Sequence, residues 1–202
     1  SNFVGIKTLT PNADLQFADT YANNKIVLHN NNFGNIPNNQ HDFFGFGVNS
    51  GLSRYQVPRN FTDHVFYAGN NAGTASNELM RITGNGYVGI GTSSPFAPLH
   101  FSDAQQNRKI VLADFGANND YNFFGFGRTN GELRYQVSLS TDDHVFYKGD
   151  NSGISSTELM RLKGNGALGI GINNPFFKLE VNGRMKIHSG GTNATSAGIW
   201  LN

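Results

Sequence analysis

The chain has 202 residues, of which 14% are charged and 12% are aromatic, and its formal net charge is +1. This content of Phe and Tyr excludes a disordered chain, and the lack of Lys/Arg runs argues against nucleic-acid binding. No apolar segment approaches the roughly 20 residues of a membrane helix, and the absence of cysteine excludes disulfides. Aromatic and β-branched runs between Asn and Gly clusters predict an all-β protein. From its charge and hydropathy we expect that it neither binds nucleic acid nor inserts into a membrane.

Residues 1–17 match the end of a repeat that recurs later in the chain. Val4–Ile6 aligns with Val88–Ile90, and a Pro-containing stretch that ends in Leu follows both copies. Lys7 occupies the place that Gly91 has in the later copy, which predicts a looser first element. We interpret residues 1–17 as the tail of a preceding unit.

Residues 18–101 form the first complete repeat unit in our interpretation. Alternation of polar and apolar residues predicts short strands at residues 25–28, 43–48, 52–57, 64–67, 78–82 and 87–90. Within Phe44-Gly45-Phe46-Gly47 the aromatic side chains fall on one strand face and the glycines on the other. Another backbone can approach such a bare glycine face closely.

Residues 102–181 form a second copy. Phe43-Phe44-Gly45-Phe46-Gly47 recurs as Phe123-Phe124-Gly125-Phe126-Gly127, an offset of 80 (123 − 43), whereas Lys25 matches Lys109, an offset of 84 (109 − 25). The first copy therefore carries four additional residues (84 − 80) before Phe43. Residues 182–202 match nothing earlier, and we interpret them as the start of a further unit.

Asn-Gly pairs mark the expected turns. Tight hairpins often place two residues at positive φ, and Asn-Gly is the preferred pair for them. We therefore expect turns with two left-handed residues at positions 85–86, 130–131, 165–166 and 182–183.

The additional residues fall in the segment 29–42, which is rich in Asn and contains one Gly and one Pro. This composition predicts a loop, and loops tolerate insertions and often carry recognition. Aromatic rings stack on apolar sugar faces, and Asn amides match hydroxyl pairs as donors and acceptors. The candidate ligand-binding residues are Phe33, Asn35, Asn38 and His41. A solvated spacer loop is the alternative.

Three further patterns could carry chemistry, and we expect structural roles for each. Gly84 to Gly89 fits G-x-G-x-x-G, but Pro95 follows soon after, where a dinucleotide site requires a helix. We expect the Asp63-His64 pair, repeated at 143–144, to be a strand histidine hydrogen-bonded to a turn carboxylate. No spacing of metal ligands is present, so we expect neither a metal nor a cofactor.

The acids that recur in both copies are Asp63/Asp143 and Glu78/Glu158. Glycoside hydrolysis needs two carboxyl groups that converge on one bond. We expect instead that Glu78 and Glu158 form cross-strand pairs with Arg54 and Arg134, and that the protein is not an enzyme. A hydrolytic site built across chains is the alternative.

Three short stretches carry a resemblance to a known kind of protein: residues 86–95 (GYVGIGTSSP), 167–175 (ALGIGINNP) and 178–183 (KLEVNG). They resemble the NGNVGIGT-x-x-P-x-x-x-L-x-V-x-G element of trimeric bacteriophage-type tail fibres and bacterial adhesive fibre proteins. The adhesive trimers of predatory bacteria are similar. The resemblance implies tandem β units intertwined or stacked as a homotrimeric fibre, extracellular on a virion or bacterial cell.

The resemblance also implies attachment to a cell-surface glycan or another envelope component. Two alternatives remain open. The first is a purely structural stalk whose recognition lies elsewhere, and the second is a fibre-borne polysaccharide depolymerase.

Overall fold

A computed structural model describes residues 3–31, 40–115 and 119–185. Within these ranges the regular structure consists of strands and turns without a helix, so the all-β prediction is confirmed. The same ranges hold no helix long and apolar enough to span a bilayer. The chain divides into two units between Ala104 and Gln105.

Short strands run through both units. In unit 1 they are β1 (Val4–Ile6), β2 (Leu15–Phe17), β3 (Ala22–Asn30), β4 (Phe43–Asn49), β5 (Leu52–Gln56), β6 (His64–Gly69), β7 (Ser76–Ile82), β8 (Val88–Ile90) and β9 (Leu99–Phe101). In unit 2 they are β10 (Gln106–Asp114), β11 (Phe123–Thr129), β12 (Glu132–Gln136), β13 (His144–Gly149), β14 (Ser156–Leu162), β15 (Leu168–Ile170) and β16 (Leu179–Val181). Each of the six strands predicted for the first copy has a counterpart here.

The strands form small sheets rather than one continuous sheet. Unit 1 contains the pair β1-β2, the three-stranded sheet β3-β4-β5 and the four-stranded sheet β6-β7-β8-β9. Unit 2 contains β10-β11-β12 and β13-β14-β15-β16. Pairing is antiparallel throughout these sheets, except that β1-β2, β8-β9 and β15-β16 are parallel.

The parallel pairs have unusually short connections. A parallel pair normally needs a crossover of about a dozen residues or more, yet only residues 91–98 join β8 to β9. The chain turns back directly over Gly89, where an added Cβ would lie 2.5 Å from the Thr92 carbonyl oxygen. A Cβ added at Gly5 or Gly169 would likewise lie 2.4 Å from a carbonyl oxygen. These glycines make the tight return possible.

The glycine face of β4 is covered by backbone, which confirms the predicted close approach. A Cβ at Gly45 would lie 2.0 Å from the Ile26 carbonyl oxygen, and one at Gly47 would lie 1.7 Å from that of Asn23. β3 reaches this position because its register with β4 shifts twice. A Cβ added at Gly125 or Gly127 would approach carbonyl oxygens of β10 at the same distances.

The expectation of two left-handed residues in each Asn-Gly turn is wrong. At 130–131 the pair does join β11 to β12 directly, since Thr129 pairs with Glu132. In each pair only the glycine has positive φ, 75° at Gly131 and 88° at Gly86, and Lys7 is the one described non-glycine residue with positive φ. The glycine alone supplies the left-handed position of these turns.

Little apolar surface is buried within the single chain. Extensive strand contacts in the described ranges join only neighbours in the same sheet. The buried hydrophobic residues are Phe43, Phe123 and Ala167, whereas forty large hydrophobic residues of the described chain are exposed. An isolated small β unit normally packs its sheets on one another to bury such residues. These sheets leave their apolar faces uncovered.

Candidate functional site

Of the residues predicted to bind ligand, Phe33, Asn35 and Asn38 lie outside the described residues. His41 is described and exposed. Its two ring nitrogens lie 3.3 and 3.5 Å from the Asn23 amide nitrogen, and its carbonyl oxygen accepts a hydrogen bond from Gln56 Nε2 at 3.1 Å. The end of the predicted loop is therefore attached to the sheet β3-β4-β5.

Polar side chains form a row on the glycine face of this sheet. Arg54 donates to Asn23 Oδ1 at 3.2 Å and to Gln56 Oε1 at 2.5 Å. In unit 2, Arg134 donates to Gln136, whose amide donates to the Tyr121 carbonyl oxygen at 2.9 Å. The carbonyl of His41 thus has the same role as that of Tyr121. His41 and its counterpart Tyr121 therefore share this backbone contact and differ in their side chains.

Three rings form a stack across β4, β5 and β6. Phe46 and Tyr55 lie parallel at 4.9 Å between ring centroids, and His64 lies 4.5 Å from Tyr55. Unit 2 repeats the arrangement with Phe126, Tyr135 and His144 at 5.0 and 4.5 Å. Tyr55 and Tyr135 remain about half exposed, at 51% and 50%. The sequence pattern does not reveal this group of rings, because the contact of Phe46 with Tyr55 depends on the register of β4 with β5.

The predicted Asp63–His64 hydrogen bond is absent from the described structure, so that interpretation is wrong. Asp63 instead accepts hydrogen bonds from Arg81 and from the Gly84 amide. The Nδ1 atom of His64 is buried without a hydrogen-bond partner, as is that of His144. Burial lowers the pKa of His64, while the nearby charge of Asp63 partly opposes this shift. His64 is therefore neutral at pH 7.

The recurring acids converge on arginine. Arg81 binds Glu78 through two hydrogen bonds of 2.9 and 2.7 Å and also binds Asp63. Arg161 binds Glu158 and Asp143 in the same way. The expected pairs of Glu78 with Arg54 and of Glu158 with Arg134 are therefore wrong.

The arginines lower the pKa of three of these carboxyl groups, those of Glu78, Glu158 and Asp143. Hydrogen bonds from Arg81 and Arg161 lower the pKa of Glu78 and Glu158, respectively. Burial raises the pKa of Asp143, but hydrogen bonds from Arg161 and the Gly164 amide outweigh it and the net shift is downward. A general acid in glycoside hydrolysis needs a raised pKa. Bound and ionised, these acids hold the sheet rather than offer a proton.

The G-x-G-x-x-G pattern lies in a turn between strands, as predicted. Gly86 donates to the Thr83 carbonyl at 2.8 Å, and Thr83 donates to the Tyr87 carbonyl at 2.8 Å. The strand β8 follows where a dinucleotide site would have a helix. Among the described residues no group of His, Asp or Glu is arranged to hold a metal ion.

Each unit also contains a cleft beside its aromatic rings. In unit 1 a cleft of about 420 Å³ is lined by Phe46 together with Phe17, Tyr21 and Lys25. In unit 2 a more polar cleft of about 430 Å³ is lined by Tyr135, His144 and Lys163. Both volumes lie within the range of about 300–1,000 Å³ that is typical of small-ligand sites.

No protein-family model matches this chain, and no curated protein matches it either. Its function must therefore be argued from its repeats, its uncovered apolar faces and its aromatic stacks.

Proposed function

We propose that this chain is a segment of a homotrimeric fibre on a virion or bacterial cell surface, and that it attaches to cell-surface glycan. The observation that carries the proposal is the scarcity of buried apolar residues: three are buried in the described chain and forty large ones are exposed. A stable domain derives most of its favourable folding energy from such burial. Association with further copies of the chain is the most direct way to obtain it.

The central residues of β3 show why association is needed. Ile26 and Val27 pair with the adjacent β4 residues Phe46 and Gly45, so their side chains lie on opposite faces of the strand, and they are 40% and 44% exposed. Their counterparts in β10 are exposed to similar extents. A strand that is apolar on both faces requires cover on both sides. Three chains around one axis would supply that cover and also protect the sheet edges.

Glycan attachment is supported by the chemistry of the uncovered surface. The chain carries little charge, and an exposed tyrosine lines the cleft of each unit, Tyr21 at 67% in unit 1 and Tyr135 at 50% in unit 2. Aromatic rings suit the apolar faces of sugars. In a trimer, weak sites would act together, and the increase in binding would come from multivalency rather than from one tight site.

A structural stalk is the second candidate. The two units repeat their ring stacks and arginine–carboxylate groups at nearly the same distances, and such regularity is expected when neighbouring units only continue a shaft. A depolymerase ranks third, because the recurring carboxyl groups are bound to arginine.

Two measurements test the proposal. Light scattering should give three times the chain mass of 22.0 kDa, about 66 kDa, and a mass of one chain would contradict the trimer. A glycan array probed with the trimer should show binding. If the trimer binds nothing and a longer form of the protein does, the stalk is favoured over the adhesin.

A further inference from the structure

The cleft of unit 2 combines an aromatic wall with groups able to bind a polar ligand. Tyr135 lines it and is half exposed, with its ring stacked on Phe126 and in tilted contact with His144. A ring already held by two neighbouring rings loses little additional freedom when a ligand stacks on its exposed surface. The wall is therefore preorganised.

His144 supplies a hydrogen-bond donor. Its Nδ1 is buried without a partner, and an unpaired buried N–H is costlier and rarer than an unpaired acceptor. When the ring carries a single proton, that proton therefore lies on Nε2. Since His144 lines the cleft, its N–H can serve a ligand oxygen.

Lys163 is the only charged residue among those that line the cleft. Its ammonium donates to Asn174 Oδ1 at 2.9 Å, which fixes its position. An ammonium has three N–H donors, and the described structure uses one of the three. The remaining donors and the positive charge favour an anionic group.

The first unit lacks this charge at the corresponding position. It retains Tyr55 and His64, but Thr83 stands in place of Lys163, and Pro58 and Asn60 replace Ser138 and Ser140. The ring stack is thus common to both copies, while the cation is specific to the second.

We propose that the cleft of unit 2 binds an acidic saccharide, with a sugar face on Tyr135, a carboxylate on Lys163 and a hydroxyl on His144. This inference rests on the proposed glycan attachment and gives it a site and a ligand class. Charge-assisted hydrogen bonds are stronger than neutral ones. A ligand carboxylate would therefore bind more tightly at Lys163 of unit 2 than at the corresponding Thr83 of unit 1.

The test uses the full chain in its solution oligomeric state and titration calorimetry. The probes are tetramers of galacturonate, of mannuronate and of hyaluronan, together with their carboxyl-reduced, neutral forms. We expect at least one acidic tetramer to bind more tightly than its neutral form. Lys163→Thr, which restores the residue of the first unit, should weaken that binding roughly fivefold and leave the neutral form unaffected.

Lys148→Ala is the matched control, because it also removes one lysine of unit 2 in favour of the first-unit residue, Ala68, and Lys148 does not line the cleft. It should leave the affinity unchanged. Tyr135→Leu should weaken both acidic and neutral forms by about tenfold. Thermal melts of each variant establish that it is folded.

Three results would overturn the site: none of the acidic tetramers binds, the two lysine variants weaken binding equally, or Lys163→Thr has no effect. Binding of neutral glycans that is independent of Lys163 would remove this site and leave the proposed attachment function standing. A mass of one chain would remove the trimer without bearing on the cleft.

Discussion

Replacing Lys7 by glycine should stabilise the first element. Lys7 has φ 58°, whereas the corresponding residues of the two later copies are Gly91 and Gly171, at 67° and 69°. All three follow the first strand of a parallel pair and must adopt the left-handed conformation. The Lys7 side chain is exposed, so little packing is lost when it is removed.

The magnitude follows from two opposing backbone contributions. A left-handed conformation costs a non-glycine residue about 1–2 kcal/mol, while glycine loses about 0.5–1 kcal/mol more chain entropy on folding than alanine. Lys7→Gly should therefore stabilise the β1-β2 pair by about 0.5–1 kcal/mol. In equilibrium terms this is roughly a two- to fivefold change.

Amide hydrogen exchange can detect this locally. The Val4 amide donates to the Asp14 carbonyl oxygen at 2.8 Å, and the Ala18 amide donates to the Ile6 carbonyl oxygen at 2.9 Å. Both amides should exchange about two- to fivefold more slowly in Lys7→Gly. The reciprocal change, Gly171→Lys, should destabilise its parallel pair, although a Cβ there meets only ordinary contacts from 3.4 Å. Unchanged exchange in both variants would refute the argument from backbone conformation.

Four further predictions concern the sheets. Gly47→Ala should destabilise the protein by about 2–3 kcal/mol, because the new Cβ would lie 1.7 Å from a β3 carbonyl oxygen. Gly69→Ala is the control, because a Cβ there meets nothing within 4 Å and should leave the free energy of unfolding unchanged. Urea melts of the two variants make the comparison. Arg81→Met should cost about 2–3 kcal/mol in the same melts, since it leaves two carboxylates without their shared partner. Hydrogen bonds from Arg81 lower the pKa of Glu78. The contribution of this pair to the free energy of unfolding should therefore be fully present above the ordinary pKa of 4.5 and should be lost as the pH drops through the lowered folded pKa. Glu78→Gln should reduce this pH dependence. Burial lowers the pKa of His64, so the free energy of unfolding should also decrease as the pH drops from 6.5 through the lowered folded pKa of this histidine. His64→Gln should abolish this part of the pH dependence.

Alternation and repetition were sufficient to predict the antiparallel strands. Phe44-Gly45-Phe46-Gly47 has one dominant period, and its glycine face implied the close backbone that β3 supplies. The parallel strands β2, β9 and β16 were not predicted. Each has three residues, too few to establish a period of two.

The partner of Glu78 could not be predicted because a bulge reverses the expected faces. In a regular strand Glu78 and Arg81, three residues apart, would lie on opposite faces. Phe66 pairs with Met80 and Tyr67 with Glu78, so Leu79 is an extra residue between them. The bulge brings Glu78 and Arg81 together. Nothing in the local alternation of residues reveals such an insertion.

The two copies differ most informatively where a charge is buried. Asp42 has 5% of its side chain exposed and binds Arg59 at 2.9 Å. The corresponding residues of unit 2 are Asn122 and Leu139. Asn122 accepts a hydrogen bond from Ser138 instead. A buried carboxylate without its arginine would be costly, so both positions must change together. The shared rings and arginine–carboxylate groups thus maintain one framework in both units. Residues around that framework, including Lys163 and its counterpart Thr83, can then differ in charge, and such differences allow repeated units to bind different ligands.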